Sequence, residues 1–209
     1  MKVAIIGVGS AAMTVADIIM ESHNFHLAGF VGTKEEEEKL RNLKLYKNIP
    51  FLGKHSVLPK LKEGDIMGFI VAIGDNSIRE KAFYEALQAD LVPINAVSRK
   101  AIINPDVILG KGIVISPGVV LSHGVTIGSN VILDPSVIIN VNASIADHCH
   151  LSPGTIVCGD GSVGKNVLLG AGCIIESGVK VGKNQIVSSG TVVHESLEGL
   201  YREDKGEDN

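Results

Sequence analysis

From Ala101 to Ser196 the chain divides into sixteen successive hexads, and the third residue of every hexad is Ile, Leu or Val. The series runs from Ile103 and Leu109 to Val187 and Val193 without an insertion or a deletion. At the chain-wide hydrophobic content of 45%, chance would produce this about a few times in a million. The next residue is usually small or turn-forming, as at Asn104, Gly110, Ser116, Ser122, Gly128 and Asp134. Pro105, Pro117, Pro135 and Pro153 sit two after the aliphatic, where proline suits an exposed turn. Each hexad therefore reads as a short strand and a corner. Three hexads make a triangular coil of eighteen residues, the pattern of a parallel β-helix. A stack of such coils buries rows of aliphatics, which accounts for 4% aromatics and no Trp.

The first half has a different grammar. Lys2–Ile6 is a buried-strand signal, followed by Gly7-Val8-Gly9-Ser10-Ala11-Ala12 and a stretch of helical spacing over Ala12–Ser22. Strand, Gly-rich turn and helix open a doubly wound sheet, with N–H groups at the helix start available to a phosphate. Strands are predicted at His26–Val31, Gly68–Ala72 and Leu91–Ala96, and a helix from Ser77 to Gln88. Lys34–Arg41 reads as a solvated helix or loop face, and Val97–Lys100 as a hinge into the β-helix. Strand two ends in Gly32-Thr33-Lys34, without the carboxylate a dinucleotide ribose wants, which argues against an NAD enzyme.

Composition narrows the function. With Lys+Arg 19 against Asp+Glu 23, the net charge of −4 removes the electrostatic argument for nucleic acid or an anionic membrane. Three cysteines make no disulfide framework. No apolar run is long enough to span a bilayer, and MKVAIIGVGS carries no signal pattern, so a cytoplasmic protein is expected. Cys149 and Cys173 occupy a hexad position usually held by Val and read as core fillers. The histidine spacings do not form a zinc triad, and no metal is expected.

The hexads resemble those of the left-handed β-helix of hexapeptide acyltransferases, which implies a homotrimer with acyl-CoA in a groove between neighbouring coils. The order of the two halves, with IIGVGS after strand one, VAIGDNSIREK at Val71–Lys81 and IADHCHLSPGTIVCG at Ile145–Gly159, is similar to one family. That family is the bacterial sugar acetyltransferases of the sialic acid O-acetyltransferase group, with their UDP-4-amino-sugar N-acetyltransferase relatives. The resemblance implies a Rossmann-like domain over residues 1–98, a left-handed β-helix over 99–196 and an acidic tail over 197–209. It implies acetyl-CoA as donor and a nucleotide-linked sugar as acceptor, with Gly9, Ser10, Ala11, Gly32 and Thr33 on the nucleotide side.

The family usually carries its general base as a His just before the stretch matching Ser144–Asp147, where this chain has Val141 and Asn142. His123 lies one eighteen-residue coil earlier at the same corner, in Leu121-Ser122-His123 and Ile127-Gly128, and is the expected catalytic base. His150 matches a family His at the thioester end of acetyl-CoA, so a ligand contact is expected there. The stretch from Gly159 to Ala171 is expected beside the pantetheine arm. Lys165 and Lys183, eighteen apart, are candidates for the CoA phosphates. His148 reads as a corner residue and His194 as structural. The rival reading is a trimeric binding or scaffold protein that kept the fold after losing the base at Val141.

Overall fold

The computed structural model describes residues 1–42 and 48–197; the acidic tail beyond Leu197 lies outside the described residues. The chain opens with β1 (Lys2–Ile6), α1 (Ser10–Met20), β2 (His26–Val31), α2 (Lys34–Arg41) and β3 (Phe51–Gly53). A 3₁₀ turn over His55–Gly64 leads to β4 (Ile66–Val71), α3 (Asn76–Gln88) and β5 (Val92–Pro93). The five strands form one parallel sheet in the order β3-β2-β1-β4-β5. Val3 to Ile6 are fully buried, as a central strand covered on both faces demands. One face packs against α1 through Val15, Ala16 and Ile19; the other packs against α3 and the 3₁₀ turn through Phe69, Phe83, Leu58 and Leu61. The chain turns from one side of β1 to the other between β3 and β4, which makes the β1/β4 edge the switch point of the sheet.

The rest of the chain is a left-handed β-helix of three flat faces. The first face stacks the strands at 96–97, 114–115, 132–133, 150–151, 168–169 and 186–187. The second stacks those beginning at Ile102, Val120, Ile138, Ile156, Ile174 and Val192, and the third those beginning at Ile108, Thr126, Ser144, Ser162 and Lys180. Every strand pairs in parallel with the one eighteen residues on, as Val120 with Ile138 and Ile138 with Ile156. The hexad aliphatics point inward, and from Ile115 to Ile175 they are buried to 3% exposure or less. Cys149 and Cys173 sit among them, both fully buried.

Two sequence expectations are corrected. Ala96, expected to end a strand of the α/β sheet, pairs with Val114 and is the first rung of the β-helix; Val97, expected in a hinge, pairs with Ile115. The corner also sits elsewhere in the hexad. From Gly112 to Gly190 every sixth residue is left-handed, with φ between 56° and 76°, and this is the sixth hexad position, not the fourth. Pro117-Gly118 and Pro153-Gly154 thus supply the Pro-then-Gly pair of a tight turn. The small fourth residue answers a different constraint. A Cβ on Gly128 would lie 2.6 Å from the Asp147 nitrogen, so that position is filled by the next coil.

The two parts share a core: Ala96, Val114 and Ile132, on the outer side of the first face, belong to the same buried cluster as α1 and the sheet. Truncating Ile139, fully buried in the central coils, is expected to cost about 2–5 kcal/mol. Ile108→Ala, at a residue 66% exposed, should stay within about 0.5 kcal/mol of wild type. Urea denaturation of both variants checks the contrast.

Candidate functional site

A cleft of ≈ 430 Å³ opens at the switch point of the sheet. One wall is the loop Gly7–Ala11 after β1, and another is Ala72–Gly74 after β4. The third comes from the β-helix, through Asp134, Pro135, His150 and Pro153 at the corner between its first and second faces. Ligands of open α/β sheets bind in this crevice because the carboxyl ends of diverging strands leave it empty. Gly7 is required there: its φ is 110°, and a Cβ would stand 2.8 Å from the Ala72 carbonyl oxygen. The residue that caps α1, Gly9, has no side chain to bond the first turn, and no acid stands in that turn. The first N–H groups and positive end of α1 therefore face the cleft without a capping side chain.

Of the sequence candidates, Gly9, Ser10, Ala11 and His150 meet in this cleft. Gly32 and Thr33 do not line it, but they position Glu36, which does. The Thr33 N–H donates to Glu36 Oε2 at 2.7 Å and the Glu36 N–H donates to Thr33 Oγ1 at 3.2 Å, a reciprocal cap of α2. A Cβ on Gly32 would lie 2.6 Å from that carboxylate. The acid missing from the end of strand two is thus supplied from the first turn of α2, where a reading confined to the strand end passes over it.

His150 is held between the two parts of the chain. Its Nε2 lies 2.8 Å from Asp134 Oδ2, on the preceding coil, and its Nδ1 lies 3.1 Å from the Gly74 carbonyl oxygen. The side chains of His150 and Asp134 are 14% and 23% exposed. The remaining candidates lie elsewhere. His123 is 68% exposed at the corner between the second and third faces, with Nδ1 3.1 Å from Asp106 Oδ1. Burial works against the charge on Asp106, but the Gly124 N–H and His123 hold its carboxyl below the usual range. Lys165 Nζ is 2.7 Å from Glu80 Oε1 on α3. Lys183 and Ala171 are exposed, and the Gly159 carbonyl accepts the Gly178 N–H.

Beneath the cleft lies Arg79 of α3, fully buried. Its guanidinium donates to the carbonyls of Ile73, Gly74, Asn130, His148 and Cys149 and to Asn76 Oδ1, at 2.7–3.2 Å. Burial pushes it down to about 10, still charged at neutral pH, with Cys149 and Asp75 acting the other way. Sequence inspection passes over it because an Arg in a helix is ordinarily a surface residue. The neighbouring Cys149 thiol is pushed up to about 11 by burial, which removes it as a nucleophile. His148, at a left-handed corner, is also buried; burial lowers its pKa, opposed by Glu80. Its Nδ1 accepts from Asn130 Nδ2 at 2.7 Å, which fits the neutral ring. Among the described residues no group of three or more His, Cys, Asp or Glu is arranged for a metal ion, and no helix is long and apolar enough to cross a membrane.

Comparison with known proteins places these features. Residues 2–86 match the family described as the PglD N-terminal domain, and residues 162–195 the hexapeptide repeat of succinyl-transferase. A His-to-Asn mutant of perosamine N-acetyltransferase from Caulobacter crescentus, in complex with CoA and GDP-perosamine, is similar with a TM-score of 0.87. Its identity is 29%, over 95% of this chain and 90% of that one. The acetyltransferase domain of PglB from Neisseria gonorrhoeae, in complex with acetyl coenzyme A, has a TM-score of 0.82. At 21% identity, over 94% of this chain and 92% of that one, that likeness is one of fold. No curated protein matches in sequence.

Replacing Arg79 by Met leaves the carbonyls of Ile73, Gly74, Asn130 and His148 without this donor, while Cys149 keeps the Ile132 N–H, and should cost about 3 kcal/mol or more, seen as a lower urea midpoint. The lowered pKa of His148 means that protonation opposes folding. The stability its neutral ring contributes is present above the unfolded value of about 6.5 and is lost as pH falls through the folded one. His148→Asn, which tolerates the left-handed backbone, should therefore flatten the fall in melting temperature between about pH 7 and pH 5.

Proposed function

The chain joins a PglD N-terminal domain to a hexapeptide-repeat β-helix, and from that premise we propose that it transfers an acetyl group from acetyl-CoA to the amine of a nucleotide-linked sugar. The observation that carries this reading is the cleft itself, where a Gly-rich loop and an open helix N-terminus face His150 of the β-helix. Its support from outside the chain is the likeness to a perosamine N-acetyltransferase complexed with CoA and GDP-perosamine.

In this reading the loop Gly9–Ala11 and the start of α1 take the diphosphate, since N–H groups and a helix dipole suit an anion. Glu36 accepts from the ribose hydroxyls, the task of an acid after the second strand of such sheets. The sugar then extends toward the β-helix and reaches His150. The donor lies along the coils, with the stretch from Gly159 to Ala171 beside the pantetheine and Lys183 near the phosphates. Lys165 is engaged by Glu80 and serves the junction of the two parts. Gly32 and Thr33 act on the nucleotide through the carboxylate they hold. The sugar belongs to surface-glycan biosynthesis, and the reading carries a cytoplasmic location with it, where nucleotide sugars and acetyl-CoA are both found.

The acyl groove also calls for neighbours. The outward residues of the second face are Ile102, Val120, Ile138, Ile156, Ile174 and Val192, a stripe of β-branched aliphatics along the whole stack. Ile102 is 65% exposed in the single chain. The first face is covered by the N-terminal domain at Ala96, Val114 and Ile132, and the third presents Ile108 and then Thr126, Ser144, Ser162 and Lys180. An apolar stripe of that length suits burial against copies of itself. The protein is a homotrimer of roughly 66 kDa in this reading.

A thiol-release assay with acetyl-CoA and a panel of GDP-, UDP- and CMP-linked amino sugars tests the function. Transfer to an amino sugar is expected. Failure on the whole panel, with acetyl-CoA still raising the melting temperature, would favour the binding-protein alternative. Ile156→Arg, which sets a charge on the stripe, should turn the trimer into monomers by light scattering while the far-ultraviolet spectrum is kept.

A further inference from the structure

The acetyl-transfer reading needs a group that takes the acceptor proton. The position one coil above His123 holds Val141, which cannot accept one, and His123 lies at a different corner from the cleft. We propose that the base is His150, its Nε2–H held by Asp134, and that its Nδ1 and the Gly74 carbonyl together form the seat of the acceptor amine.

The geometry follows from counting protons. Both partners of His150, a carboxylate oxygen and a carbonyl oxygen, are acceptors. A neutral imidazole has one N–H, and the charged carboxylate at 2.8 Å is the stronger acceptor, so Nε2 carries it. Nδ1 then presents a lone pair to the Gly74 oxygen 3.1 Å away, two acceptors facing each other with no proton between them. A primary amine satisfies both, donating one N–H to each. The carbonyl cannot turn away, because Arg79 Nη1 donates to it from below at 3.1 Å. The pair lines the cleft whose other walls are the Gly-rich loop and Glu36, so an acceptor held there by its diphosphate can extend its sugar to His150.

The step balances without further reagents. The amine lone pair attacks the thioester carbonyl carbon, an N–C bond forms, and one amine proton passes to His150 Nδ1. The tetrahedral oxyanion collapses, the C–S bond breaks, and the departing CoA thiolate takes the proton back from His150. Asp134 touches no reacting atom and is a positioning residue. It fixes the tautomer and stabilises the imidazolium formed midway. The charged groups around the ring are Asp134, Glu36 across the cleft and Arg79 beneath.

The test rests on the acetyl-transfer reading and separates its own failure from that one. Steady-state kinetics are measured for wild type, His150→Gln, Asp134→Asn and His123→Ala with one active amino-sugar acceptor, and acetyl-CoA binding by calorimetry. His150→Gln should lower kcat by about a hundredfold or more with acetyl-CoA affinity little changed. His123→Ala should keep wild-type turnover. Asp134→Asn removes the carboxylate that holds the Nε2–H, so kcat should fall about tenfold or more with the acceptor KM and acetyl-CoA affinity little changed, and Asp134→Glu should restore part of it. A merely structural role for Asp134 would move KM and melting temperature together with kcat. Wild-type kcat in His150→Gln, or a loss confined to acetyl-CoA affinity, overturns the base assignment while the acetyl-transfer reading stands. A wild-type protein that acetylates no member of the panel overturns both.

Discussion

Arg79 is the constraint on which the arrangement of this protein depends. Its guanidinium is buried at the meeting of α3 with the β-helix corners at Asn130 and His148, and it answers carbonyls from both parts of the chain. A buried charge costs several kcal/mol unless its donors are met, and here half of the contacts, to the carbonyls of Asn130, His148 and Cys149, are supplied only when the two parts are docked. One of those oxygens, on Gly74, is also a contact of His150. The group that fixes the junction therefore also fixes part of the cleft. Lys165 to Glu80 extends the same junction with a partly solvated contact, and Asn130 to His148 with a buried one beneath it.

The β-helix assigns a different task to each of its faces while every face contributes equally to the core. Inward residues are interchangeable aliphatics, because a regular stack asks only for volume and shape at each rung. The outward residue of each strand is free to differ. On the first face Ala96, Val114 and Ile132 receive the N-terminal domain, and His150, one rung further, reaches the cleft at its edge. On the second face the outward residue stays aliphatic throughout, and on the third most are polar. One period of eighteen thus carries a docking face, an apolar face and a solvated face, set by residues that contribute little to the stack itself.

The cleft inherits its character from the same economy. The Gly-rich loop offers N–H groups at one side of the ≈ 430 Å³ space, and the β-helix sets the His150–Asp134 pair at the other. Asp134 reaches His150 because the corner residue after one strand of the first face stands beside the first residue of the next strand up, sixteen positions later in sequence. Stacking at eighteen residues per coil turns that offset into contact.

The sequence by itself determined the repeat, the inward rows, the parallel α/β sheet and the Gly-rich loop, because each is a local pattern whose period or composition states its own geometry. Strand His26–Val31 falls where the pattern puts it, and Lys34–Arg41, open in the sequence between a solvated helix and a loop face, is a helix. It also showed that Val141 cannot be a base. Only the tertiary structure decided which residues meet. Ala96 left the α/β sheet because Val114 offers it a partner only once the coils are wound. Arg79, Glu36 and Asp134 look like ordinary surface residues until burial, a capping box and a coil spacing bring them to the junction and the cleft. His123 and His150 carry equal chemistry in the sequence, and docking the N-terminal domain against one face of the prism is what sets only His150 beside Gly74. Contacts between distant segments depend on how two periodic surfaces are brought into register, and no local pattern records that.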